Sequence, residues 1–158
     1  MTQHPITSPL DEGARDATGA ILQETLADLV DLSLLSKQAH WNVVGTHFRS
    51  VHLQLDELVA TARQYTDDVA ERAAAIGFSP TGTAATVARE SGLADYPKGW
   101  QSDKDTIEHI VVALATAIQR LRPRIEETDK TDQVTQDLLI ALARDLEEAH
   151  WMWQAQTV

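Results

Sequence analysis

Through four long stretches of this chain apolar residues recur every three to four positions, and that period commits most of its length to amphipathic helices. The first stretch predicts a helix from about Asp16 to Asn42, carrying Leu22, Leu26, Leu29, Val30 and Leu34 and stopping before Gly45. The second runs from about Phe48 to Ile76 with Leu55, Leu58, Val59, Ala62, Val69 and Ala73 on its apolar side, and Gly77 ends it. The third spans about Ser102 to Glu127, and Pro123 inside it predicts a kink or an early break. The fourth runs from about Asp132 to Ala155, with Thr131 or Asp132 as its cap. Between the second and third lies a long connection in which Phe78 to Thr83 is a loop, Ala84 to Glu90 a short helix, and Pro97 and Gly99 mark further turns. Residues 1–15, with Pro5, Pro9 and Gly13 and no apolar period, read as a flexible N-terminal arm. Residues 16–158 then form one all-α domain, a four-helix bundle with one long crossover and a short extra helix within it.

At 158 residues the chain can bury one hydrophobic core, and it has no apolar run near the length of a membrane span and no basic or apolar leader. The expected setting is the cytoplasm, away from membranes. With no cysteine, disulfides, thiolate catalysis and zinc ribbons are excluded.

Five polar residues, His40, His52, Asp56, Asp67 and Glu71, do not follow from core packing. With the second helix turning about 100° and rising about 1.5 Å per residue, Asp56, Asp67 and Glu71 lie about 40°, 60° and 100° around the axis from His52, so all four share one face. Along the axis they separate into two i, i+4 pairs, His52 with Asp56 and Asp67 with Glu71, with roughly 16 Å between Asp56 and Asp67. No single metal ion bridges that gap. A second copy packed antiparallel about a two-fold axis near Thr61 and Ala62 would bring His52 and Asp56 of one chain to Asp67 and Glu71 of the other, twice per dimer. Imidazole and carboxylate without sulfur suit iron, manganese or zinc. Each residue alone has an ordinary reading, a hydrogen-bonded histidine or a solvated acidic face; their conjunction and symmetry point to a metal site.

The run Lys37-Gln-Ala-His-Trp-Asn-Val-Val-Gly45, then Phe48, His52-Leu-Gln-Leu-Asp56-Glu57 and Asp67-Asp-Val-Ala-Glu71-Arg-Ala73, resembles the ferroxidase signature of the Dps-type miniferritins, the DNA-protection-during-starvation family. The resemblance extends to the order of helices and to the closing segment Arg144 to Trp151. It implies a ferritin-like bundle assembled from two-fold dimers into a hollow shell of twelve. It also implies a di-iron centre shared between two subunits, with His40, His52 and Asp56 from one and Asp67 and Glu71 from the other. The implied reaction is oxidation of Fe(II), preferably by hydrogen peroxide, with Fe(III) mineralised inside and protection against oxidative stress as the outcome. A centre formed inside one bundle expects a glutamate-x-x-histidine motif on each of two helices; the sequence has it only once, at Glu147 and His150, which favours the shared site. By the same resemblance Trp41 is a candidate electron donor beside the centre, its alternative being an aromatic interface anchor. Asp129, Asp132 and Asp137 are candidates for acidic pores, although an acidic first turn also complements the helix dipole. Trp151 and Trp153 read as packing residues of the fourth helix.

Charge argues against one part of the family's name. The formal net charge is −11, twelve copies would carry about −132, and such a field repels a phosphate backbone. Arg15 is the only Arg or Lys of the N-terminal arm, and the sequence ends at Thr157-Val158 without a lysine tail, so direct DNA binding is doubtful. Two alternatives to the ferroxidase remain: a nucleoid-associated DNA-binding protein, disfavoured by charge, and a metal-dependent amide or ester hydrolase, for which no substrate signature exists.

Overall fold

The computed structural model describes residues 5–158. Five helices account for about three-quarters of it: α1 (Glu12–Asn42), α2 (Phe48–Ala75), α3 (Ala84–Glu90), α4 (Asp103–Thr131) and α5 (Gln133–Gln154). The helices α1 and α2 pack along each other as one hairpin, α4 and α5 as a second, and α1 lies against α4 to join the hairpins around a single core. Leu22, Leu32, Leu55, Ile110, Leu114 and Leu142 are sealed in that core, and Trp153 of α5 closes one end of it.

Two boundaries differ from the sequence expectation, each for a local reason. Helix α1 begins at Glu12, not Asp16, because the Asp11 side chain caps it by accepting from the Ala14 amide. Of the expected arm, residues 1–4 lie outside the described residues, Leu10 rests against the core, and Glu12 to Arg15 are helical. Helix α4 runs eight residues beyond Pro123 without a break. Pro123 and Gln119, whose carbonyl loses its partner to the proline, are both exposed, on the side of the helix open to solvent. Only Asp132 separates α4 from α5, and it caps α5 through the amides of Val134 and Thr135.

A parallel two-residue bridge between β1 (Val43–Val44) and β2 (Gln101–Ser102), which no sequence alternation announces, ties the end of the crossover to the α1–α2 corner. Gly45 permits it: its φ of 137° is open to glycine, and a side chain there would collide with the Asp103 carboxylate, which accepts from the His47 amide at 2.6 Å. Further along, the crossover is held by Asp28 in the middle of α1. This buried carboxylate accepts from the Gly92 amide at 2.9 Å, from Arg120 Nε at 2.9 Å and from Arg124 Nη1 at 2.8 Å.

Candidate metal centre

The corner where α1 ends and α2 begins brings His40 and His52 face to face. His40 lies in the last turn of α1, where the backbone carbonyl has no helical partner, and that carbonyl accepts from His52 Nδ1 at 2.9 Å. In return His40 Nδ1 donates to the His52 carbonyl, also at 2.9 Å. The rings stack at 3.6 Å between centroids with 22° between planes, and the Phe48 ring covers His52 from 4.9 Å. A carbonyl can only accept, so each Nδ1 carries a proton, which leaves Nε2 as the ring nitrogen free to ligate. Metal-binding histidines are commonly oriented in this way, with one nitrogen tied to a backbone carbonyl and the other left as a ligand.

Asp56, one turn beyond His52, stands beside the pair with Oδ1 at 3.4 Å from His40 Nδ1. Lys37, one turn before His40 on α1, reaches the same oxygen at 2.5 Å. Its hydrogen bond holds the Asp56 carboxyl below the usual carboxylate range. This cluster therefore offers two oriented imidazole nitrogens and one ionised carboxylate, with a cation already at the carboxylate.

Asp67 and Glu71 are exposed on the other half of α2 and form no ion pair among the described residues. Because α2 is continuous from Phe48 to Ala75, the roughly 16 Å of helix between Asp56 and Asp67 is rigid. Among the described residues, no group of three or more His, Asp and Glu side chains is placed to hold a metal ion within one chain. One chain thus presents two separate groups of candidate ligands, His52 and Asp56 with His40 of α1 at one end of α2 and Asp67 with Glu71 at the other.

The other candidates fall in different places. Trp41 is 63% exposed at the corner next to His40. Trp153 is core, as expected of a packing residue, whereas Trp151 faces outward. Asp129 and Asp137 are exposed, but Asp132 is buried and fully engaged. It caps α5, accepts from Thr135 Oγ1, and pairs with Arg72 of α2 at 2.5 Å. Burial alone would push its carboxyl up; the Thr135 and Arg72 hydrogen bonds outweigh this and hold it down. Its carboxylate is committed to joining α2 to α5, which answers to the cap and not to the pore.

Sequence reasoning passed over Lys37 and Asp28. The i, i+3 spacing of Lys37 and His40 put the ammonium on the ligand face. Asp28, a lone acid between Leu26-Ala27 and Leu29, with Arg120 and Arg124 four residues apart on α4, was the signal for the buried network.

Comparison with known proteins agrees with this architecture. The ferritin-like domain family matches residues 19–158. A DNA protection during starvation protein from Mycolicibacterium smegmatis is 38% identical over 159 residues, an alignment covering 98% of this chain and 84% of that relative. Among solved structures, Mycobacterium smegmatis Dps superposes with a TM-score of 0.92 at 34% identity, covering 99% of this chain and 94% of that one. Dps from Microbacterium arborescens, described in its high iron form, gives 0.90 at 31% identity, covering 95% and 97%. A helical bundle with a short helix in its crossover, carrying a paired-histidine corner and matching these proteins over nearly its whole length, belongs to the Dps-type miniferritins of the ferritin-like superfamily.

Proposed function

We propose that this protein is a ferroxidase that binds Fe(II) at a centre shared between two subunits, oxidises it preferentially with hydrogen peroxide, and stores the Fe(III) as mineral inside a twelve-subunit shell. The observation that carries this reading is the reciprocal His40–His52 pair, which leaves two imidazole nitrogens oriented beside the Asp56 carboxylate and lacks only the acidic groups that a two-fold partner supplies. The rigid spacing of Asp67 and Glu71 on the same face of α2 supports the pairing, because an antiparallel copy brings them to the histidine end. Asp67 and Glu71 with the facing chain's His40 would hold one iron; His52 and Asp56 would hold the second.

The donor set fits the chemistry. Carboxylates favour iron after oxidation, and neutral imidazoles keep Fe(II) affinity moderate. Two Fe(II) give one electron each to one hydrogen peroxide, which with two protons becomes two waters, so no hydroxyl radical is released and both Fenton reagents are consumed. Trp41, exposed beside His40, would on this reading donate an electron to a stray oxidising equivalent at the centre. Asp129 and Asp137 remain the acidic groups for an iron entry pore. Among the described residues no helix is long and apolar enough to cross a membrane, and a cytoplasmic site of action fits the reaction.

Anaerobic Fe(II) mixed with measured peroxide in a stopped-flow spectrophotometer tests the assignment. About two irons should be oxidised per peroxide, and His52→Ala or Glu71→Ala should slow oxidation at least about tenfold, as loss of a metal-site residue does. Unchanged rates in both variants would remove the centre from these residues.

A further inference from the structure

Where the end of the crossover passes the α1–α4 groove, a cavity of about 320 Å³ opens to solvent. Leu35 of α1 and Ala113 of α4 are buried beneath it, and Val112 lies along it with 60% of its surface exposed. The half-buried Tyr96 ring meets His109 edge-on at 5.5 Å between centroids, and its hydroxyl is engaged with Thr106 at 3.1 Å. The ring, not the hydroxyl, is what Tyr96 presents. An apolar cavity of this size with a few polar groups is the usual form of a small-molecule site.

None of those polar groups brings a spare proton. Asp95 and Glu108 are exposed carboxylates that, among the described residues, take part in no ion pair. Even Lys104, one turn before Glu108, does not pair with it. Thr116 spends its hydroxyl proton on the Val112 carbonyl at 2.9 Å, and His109 Nδ1 donates to the Asp105 carbonyl at 2.6 Å, so Nε2 of the neutral ring accepts. No Lys or Arg lines the cavity. A wall of acceptors with two unpaired carboxylates repels an anion and gives a neutral ligand no charge to answer; it suits a donor that is positively charged. A bare metal ion is a poor occupant, because among the described residues no three His, Asp or Glu side chains are placed to hold one.

We propose that this cavity binds a small organic cation, a primary ammonium carried on a short apolar chain. The ammonium answers the Asp95 and Glu108 carboxylates and the Tyr96 ring, whose π electrons attract a cation. The chain lies on Leu35, Val112 and Ala113. The cavity has the volume of about ten water molecules, which is room for a chain of several carbons. None of its lining residues is among the proposed iron ligands, so the site stands apart from the histidine corner.

Ligand-observed saturation-transfer NMR on the assembled, metal-free protein tests this with n-hexylamine, which is charged at neutral pH, and with n-hexanol and hexanoate, which carry the same chain without the cation. Hexylammonium should bind saturably, and the other two at least about tenfold more weakly. Asp95→Asn with Glu108→Gln should weaken hexylammonium at least about tenfold and leave hexanol unchanged. Glu126→Gln with Glu127→Gln removes the same charge from exposed positions elsewhere and should change nothing. Val112→Lys, at an exposed position the bundle tolerates, brings a tethered ammonium to the cavity and should abolish binding. Thermal melting of each variant verifies that the fold is intact.

Hexanol binding as well as hexylammonium would overturn the selectivity for a cation. Equal weakening in both carboxylate variants would assign the binding to the protein's overall negative field and overturn the site. So would the absence of saturable binding, or its survival undiminished in Val112→Lys.

Discussion

Two inactive variants of this protein should rescue each other. One carries His40→Asn and His52→Asn, which keep an amide to donate to the facing carbonyls but lose the imidazole lone pair; the other carries Asp67→Asn and Glu71→Gln. Assembled alone, each lacks one half of every centre. In a mixed dimer one centre takes the altered half from both chains and the other takes the intact half from both. Equal co-refolding with random pairing makes about half the dimers mixed, each with one working centre of two, so about a quarter of the wild-type ferroxidase rate should return. The structure sets that number, since Asp56 and Asp67 stand roughly 16 Å apart on one unbroken helix and no rotamer change closes such a distance. The assay is the initial rate of Fe(II) oxidation by peroxide, with native mass spectrometry to count mixed dimers. A rate no higher than the parents, with mixed dimers present at the expected share, would refute the shared site.

Three other outcomes follow from charge and burial. The assembled protein should not retard duplex DNA in a gel at neutral pH and physiological salt without added divalent cation; tight, salt-sensitive retardation would defeat the reading of its −11 net charge. Asp28→Asn should cost about 3 kcal/mol, the lower end for breaking a buried pair because Arg124 keeps Glu24 at 3.2 Å, and thermal melting at fixed protein concentration should drop by roughly 6–12 °C. A drop under about 2 °C would show that the hub contributes little. Asp132 has a depressed carboxyl pKa in the folded protein, so its contribution is present above the unfolded carboxylate value and is lost as pH falls through the folded one; acid titration of the melting temperature should show a loss beginning below about pH 4 that Asp132→Asn lacks.

The helices were legible because burial imposes a period on the sequence. Even the short α3 was marked by its flanking Pro80, Gly82 and Gly92. Boundaries were less so: the Asp11 cap sits in a proline-rich segment, and Pro123 looks like a breaker until its ring is seen to face water. At the candidate centre, the proposed ligands stand out in sequence because metal coordination favours particular residue types at helical spacing. The hydrogen bonds that orient them could not, since His40 and His52 are each tied to a backbone carbonyl, and a carbonyl leaves no trace in side-chain identity. Asp132 shows the opposite failure. As one acid among three it looked like part of a patch, and only Arg72, sixty positions away, reveals what it does.

The crossed Nδ1 bonds between the two histidines have a consequence for turnover. Each ring is fastened to the main chain of the opposite helix, so the corner is assembled by folding and, on the function proposed above, owes nothing to an ion for its shape. A centre that needed iron to take shape would hold its oxidised product as part of its own framework and would release it only by loosening. If it works as proposed, this one can surrender the ion and keep its form, as a catalyst must when the metal is the cargo passing through it.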